Sequence, residues 1–315
     1  MDRHAKILVA GDATLIGSAI LRHLQNSGCA HVMGTPHALD LTCARSVESY
    51  FAEMQPDYVF LAAGRSGGIA ANQSFPADLM RDNLLVESHI IHNAYQSRVR
   101  KLVYLASSCC YPRLAAQPMR EEALLTGPLE PTNEAYALAK IAGIKLCQAY
   151  NRQHGTRFVS VIPANAFGPG DDFSPEESHV IAALIRKVHA AKAQGQDEVE
   201  VWGSGAPRRE FIYAPDLADA CTMVIDRYDG TEPINIGAGT DLSIRELAEA
   251  VCETVGYSGR LRFDASKPDG MPRKILDSGK LHRLGWRPRT LFMDALAETY
   301  AWFLHHEAER MPTHA

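Results

Sequence analysis

The chain has 315 residues, with 32 basic and 37 acidic side chains and a formal net charge of -5. That length allows one large domain or two unequal ones, and 46% hydrophobic residues are too many for a disordered chain. The mild acidic balance argues against nucleic-acid binding, which needs a basic face, and seven cysteines, odd in number and without CxxC spacing, argue against a disulfide framework or a zinc site.

In chain order, residues 6–10 are a β-branched and aliphatic run that predicts a strand, followed by Gly11 and an amphipathic stretch over 15–26 that predicts a helix. A weak second strand is expected at 31–33, a helix at 46–54, a third strand at 58–62 and a long helix at 78–97. A fourth strand follows at 101–106, then a helix at 134–152 and a fifth strand at 158–163. Strands that alternate with helices imply right-handed crossovers and a parallel sheet. The strands are nearly all apolar, as in a sheet covered on both faces. The rhythm changes after a turn cluster at 168–172. Helices are expected at 178–193, 215–228, 243–255 and 292–306, with short strands at 199–202, 210–213, 234–236 and 261–263, and fraying from about 307.

The expected fold class is α/β: a Rossmann-type, doubly wound parallel sheet with a smaller C-terminal substrate-binding domain. The first domain is expected over 1–166, with segments near 209–237 returning to it. Residues 167–208 and 238–315 are expected to form the second. The apolar run behind the charged start is too short for a signal peptide, and no run of 18 apolar residues occurs. A cytoplasmic protein that binds no membrane is expected.

Two motifs carry chemistry. Gly11, Asp12, Ala13, Thr14, Leu15, Ile16 and Gly17 join the first strand to the first helix, the setting of a dinucleotide-binding turn. Glycines there let backbone N–H groups approach a pyrophosphate, and the helix N-terminus favours the anion. Thr14 stands in place of the middle glycine of GxxGxxG. At the end of the second strand an acid favours NAD and an arginine favours NADP; Gly34, Thr35, Pro36 and His37 offer neither. The second motif is Tyr136 and Lys140, one helical turn apart on one face. A nearby ammonium stabilises phenolate, so the tyrosine can trade a proton with a carbonyl oxygen. Ser107 and Ser108 end the fourth strand, where such sheets bind ligands, and Ser107 can hold that same oxygen. Loop, serine and Tyr–Lys pair, in that order, read as a hydride-transfer enzyme.

Longer blocks narrow the reading: RKLVYLASSCCYP at 100–112, GGIAAN at 67–72, LEPTNE at 129–134, KIAGIK at 140–145, SHVI at 178–181, RREF at 208–211, KPDG at 267–270 and PRK at 272–274. Together they resemble the GDP-L-fucose synthase family of the extended short-chain dehydrogenase/reductase superfamily, over roughly 6–304. The resemblance implies that the protons on sugar carbons 3 and 5 are removed and returned beside a 4-keto group, by Cys109 and His179. It implies hydride transfer from NADPH to carbon 4, with Tyr136 protonating the oxygen. Lys140 would lower the Tyr136 pKa and hold the nicotinamide ribose. Cofactor contacts are implied for the 11–17 loop, for Leu105, Ala106, Ser107, Ser108 and Lys140, and for Pro163, Ala164, Asn165, Ala166 and His179. GDP-sugar contacts are implied for Lys187, Trp202, Arg209 and Asp269. No metal is implied. A homodimer is, with the helical stretches at 84–94 and 141–150 as its candidate faces.

One departure bears on the cofactor. The family loop usually reads Gly-His-Arg-Gly-Met-Val-Gly. Here Ala13 replaces one arginine that meets the 2′-phosphate of NADP, and Pro36 replaces a second. Each loss removes about 1.5–3 kcal/mol of charge-assisted bonding, so weak NADPH preference or use of NAD(H) is expected. The alternatives are an epimerase-only enzyme and a catalytically silent nucleotide-binding protein. Retention of Cys109, Tyr136, Lys140 and His179 argues against the silent one.

Overall fold

The computed structural model describes residues 1–175, 178–267 and 269–306. The fraying expected from 307 and Pro268 of the 267–270 block lie outside the described residues. The first half runs β1 (Lys6–Ala10), α1 (Leu15–Asn26), β2 (His31–Gly34), α2 (Ala44–Met54), β3 (Tyr58–Leu61), α3 (Ile69–Ser74), α4 (Pro76–Gln96), β4 (Lys101–Leu105), α5 (Glu134–His154) and β5 (Phe158–Pro163). The second half runs β6 (Asn165–Phe167), α6 (Val180–Ala193), β7 (Glu198–Trp202), β8 (Arg208–Tyr213), α7 (Ala214–Arg227), β9 (Ile234–Ile236), β10 (Asp241–Ser243), α8 (Ile244–Val255), β11 (Arg260–Asp264), β12 (Arg273–Lys274), α9 (Gly279–Arg283) and α10 (Phe292–His306).

Among the described residues, six strands form one sheet in the order β2-β1-β3-β4-β5-β9. Every neighbouring pair in it is parallel. Ile7, Val9, Val59, Leu61, Val103 and Val161 are fully buried, which is why these strands read as unbroken apolar runs. α1 packs against α7, while α2, α4 and α5 pack together, so helices cover the sheet in two layers. The chain passes from β1 out to β2 and then returns to β3 on the other side of β1. That reversal opens a crevice above the carboxyl ends of the strands, the place where such sheets hold ligands.

A second core gathers Phe167, Ile185, Phe211, Leu247 and Phe303. Around it, β8 lies between antiparallel β10 and parallel β12 and also pairs with β6, while β7 pairs with β11. α3, β6, β10, β12 and α9 are absent from the sequence-based expectation because such short elements hold too little of a hydrophobic period to be read. Among the described residues no helix is long and apolar enough to cross a membrane.

Candidate active site

The nucleotide turn sits at the switch point. Gly11 has φ +91°, and a Cβ on it would lie 2.4 Å from the Ala63 backbone N. A Cβ on Gly17 would lie 2.0 Å from the Gly11 carbonyl oxygen, so the turn closes only with both glycines. Thr14 needs no such freedom: its backbone is extended, with φ -80° and ψ 159°. Its hydroxyl donates to the Gly11 carbonyl at 2.7 Å and accepts from the Gly17 N–H at 3.1 Å, which caps α1. The substitution thus turns inward and serves the loop. The N–H groups of Leu15 and Ile16 open the helix without an acceptor inside it. This cradle fits a pyrophosphate.

Ser107, Cys109 and Tyr136 meet beyond the end of β4, and each is only partly buried. The Cys109 N–H donates to the Ser107 hydroxyl at 3.3 Å. The Asn133 amide donates to the Cys109 sulfur at 3.1 Å, and the Lys274 ammonium stands 3.4 Å from it. Burial pushes the Cys109 thiol up. The Lys274 charge and hydrogen bond, the Ser107 hydroxyl and the Arg209 charge together outweigh burial, and the pKa ends below the ordinary thiol value. Removing the lysine reverses that balance. Lys274→Met should therefore move the acid limb of any thiolate-dependent exchange to higher pH. Initial rates of solvent-deuterium uptake against pH read this directly, and an unmoved limb would remove Lys274 from the site.

Lys140 lies on α5 with its ammonium 2.8 Å from the Glu87 carboxylate of α4, and both side chains are nearly sealed from water. It also donates to the Leu105 carbonyl at 3.4 Å and stands 5.8 Å from the Tyr136 ring centre. The expected lowering of the Tyr136 pKa is not what the structure gives. Burial raises it well above the ordinary phenol, the charges of Cys109, Cys110 and Glu87 add to this, and only the Ser107 hydrogen bond opposes. Burial first, with these charges after it, keeps Tyr136 protonated and able to give a proton. Breaking the pair leaves an ammonium buried alone. Glu87→Ala should cost about 3–5 kcal/mol, seen as a lower urea midpoint at unchanged m-value. A loss below about 1 kcal/mol would mean that water already reaches the pair.

His179 stands at the N-cap position of α6, and its side chain makes no capping hydrogen bond. The Ser178 carbonyl beside it lies 3.3 Å from where a Gly68 Cβ would be, so the 67–72 block closes against this residue pair. Desolvation pulls the imidazole pKa down; the Asp172 charge opposes this and the Lys274 charge assists. Lys274 thus acts on both Cys109 and His179.

Contacts continue from Cys109 to the second core. Arg209 donates to the Asp269 carbonyl at 3.3 Å. The Asp269 carboxylate accepts from the Ser204 N–H at 2.7 Å and from its hydroxyl at 2.8 Å, and so holds the turn after β7. Just before that turn, Trp202 is 53% exposed. The ammonium groups of Lys187 and Lys267 stand 5.2 and 5.3 Å from its ring centre. On the other side, Pro163 pairs with Ile236 at the edge of the main sheet, and the Ala164 N–H donates to the Ile236 carbonyl at 2.9 Å. Asn165 and Ala166 leave that sheet to pair with Phe211 and Ile212. Leu105 ends β4, the Ala106 N–H donates to the Val161 carbonyl at 2.9 Å, and Ser108 is buried in the turn beyond.

Asn133, Lys274 and Glu87 were not singled out from the sequence. The first two lie inside quoted blocks and carried a signal. Glu87 carried none, because only the packing of α4 on α5 brings it to Lys140.

A glycine turn at a parallel-sheet switch point, with a Ser–Tyr–Lys cluster beside it, defines a nicotinamide-dependent enzyme class. The model of the NAD dependent epimerase/dehydratase family matches residues 7–237, and the chain belongs to this family. It is 53% identical over 310 residues to GDP-L-fucose synthase 1 of Arabidopsis thaliana, covering 98% of this chain and 96% of that protein. It is 49% identical over 312 residues to GDP-L-fucose synthase of Escherichia coli (strain K12), covering 96% and 97%. A solved GDP-L-fucose synthetase from Naegleria fowleri, bound to NADP, has a TM-score of 0.88 at 31% identity, covering 97% of this chain and 94% of that one. Within the family the chain falls among the GDP-L-fucose synthases.

Proposed function

We propose that this protein converts GDP-4-dehydro-6-deoxy-D-mannose to GDP-L-fucose, by epimerisation at carbons 3 and 5 and then reduction at carbon 4. One observation carries the reading: the cleft holds a thiol drawn toward thiolate by Lys274 within reach of a protonated tyrosine. A single site then offers a base for a C–H beside a ketone and an acid for the ketone oxygen.

Cys109 takes the proton from the carbon beside the 4-keto group, which stabilises the carbanion as an enolate. His179, more acidic when protonated because its pKa lies below the ordinary value, returns a proton to the other face. Ser107 and Tyr136 hold the 4-oxygen, and Tyr136 gives up its proton as that oxygen becomes an alkoxide. A bound reduced nicotinamide supplies the hydride to carbon 4. The 11–17 turn holds its pyrophosphate, Lys140 the ribose beside the nicotinamide, and the backbone from 105 to 108 and from 163 to 166 lines its course. Lys187 and Arg209 balance the substrate diphosphate, Trp202 gives an aromatic wall, and Asp269 keeps Arg209 and the 203–204 turn in place. In this reading the main sheet is the nucleotide domain and the second core the substrate domain. The active form is a cytoplasmic homodimer paired through α4 and α5.

The test is incubation with that substrate and a reduced nicotinamide in deuterated water. Steady nicotinamide oxidation with deuterium at carbons 3 and 5 is expected. Exchange without oxidation would leave an epimerase, and neither signal would overturn the proposal.

A further inference from the structure

β2 ends at Gly34, and Thr35 follows, so the strand end has no charged residue of its own. In a dinucleotide fold this is where the adenosine ribose is read. An acid here accepts from the 2′-hydroxyl, whereas an arginine pairs with a 2′-phosphate. The fold delivers an acid from elsewhere. Asp12, in the turn after β1, reaches across to this point. Its Oδ1 accepts from the Thr35 N–H and from the Thr35 hydroxyl, each at 2.8 Å. The Thr35 hydroxyl also receives the Gly11 N–H at 3.4 Å, which stitches the turn to the strand end.

β2 leaves room for this. A Cβ on Gly34 would lie 2.2 Å from Asp12 Oδ2. Among the described residues both hydrogen bonds to the Asp12 carboxylate end on Oδ1, so Oδ2 keeps its accepting capacity. Ala13 and Pro36, the two positions where the family resemblance places an arginine, bring no cation here. Tyr50 of α2 donates to the Gly34 carbonyl at 2.8 Å, and its phenol is raised by burial and then by the Asp12 charge.

We infer that Asp12 is a specificity-determining residue that selects the dinucleotide without a 2′-phosphate, so that this chain prefers NADH to NADPH. The inference rests on the reading that the cleft takes a nicotinamide dinucleotide. A ribose 2′-hydroxyl can donate to the free Oδ2. A 2′-phosphate brought to the same oxygen meets a fixed like charge. In this one property the chain departs from the Naegleria relative, which holds NADP.

Equilibrium titration of the full chain with NADH and with NADPH, followed by nicotinamide fluorescence, tests it. The NADH dissociation constant should be at least about tenfold lower than that for NADPH. Asp12→Asn should narrow the ratio to less than about threefold. If that variant does not fold, Ala13→Arg, which adds a cation without touching the Asp12–Thr35 bonds, should raise NADPH affinity alone. Equal or tighter NADPH binding by the unaltered chain overturns the inference and leaves the proposed reaction standing. Binding of neither cofactor overturns both.

Discussion

Tyr136→Phe is expected to slow reduction at carbon 4 by about 10²–10⁴-fold, the usual contribution of a positioned acid. The substitution removes one oxygen and no bulk. Its cost should therefore fall on the step that needs a proton, not on folding. Tyr136 is half-buried beside Ser107, and burial with the neighbouring charges keeps its phenol protonated. In the proposed reduction the 4-oxygen gains negative charge, and Tyr136 is the acid assigned to neutralise it. Epimerisation makes a smaller demand on that oxygen, because the Ser107 hydroxyl still holds it. Deuterium uptake at carbons 3 and 5 should stay within a few-fold of the unaltered protein while nicotinamide oxidation collapses. Equal loss of both would mean that Tyr136 acts in binding the sugar.

Cys109→Ala is expected to give the opposite pattern. Solvent exchange at the sugar carbons should fall by about 10²–10⁴-fold. The thiol is the group that Lys274, Ser107, Asn133 and Arg209 converge on. Four polar partners around one sulfur serve no packing purpose, whereas Cys110, next in the chain, is fully buried with its thiol pushed up to about 12. Of the two neighbours, one thiol is surrounded by polar partners and the other is sealed in the core. Binding of the nicotinamide should be unchanged, since the alanine leaves the 11–17 turn and Lys140 untouched. Exchange that survives in Cys109→Ala would shift the base to another residue.

Much of this was legible in the linear order. The alternation of apolar runs and amphipathic stretches, from Lys6 to Pro163, carries the parallel sheet, because only buried strands can be apolar on both faces. The boundaries of α1 and the start of α10 follow from the period alone. Ser107, Cys109, Lys140 and His179 stand in blocks that can be recognised without coordinates, and Tyr136 follows from its spacing to Lys140. The Gly11 and Gly17 positions follow from the turn that joins β1 to α1.

Tertiary structure decided what those residues do to one another. Charge acts through space, over a few ångströms, and sequence distance says nothing about it. Glu87 lies 53 positions from Lys140 in the chain but 2.8 Å away in the fold, and its charge adds to the burial that keeps Tyr136 protonated. Lys274 reaches Cys109 across 165 positions. Thr14 reads as a flaw in a glycine motif until its hydroxyl is seen capping α1. The strand end at Thr35 reads as silent on the cofactor until Asp12 is seen leaning onto it. Composition, periodicity and motif determine which elements form and which groups are present. The packing of those elements sets the neighbours, and with them each group's charge state and role.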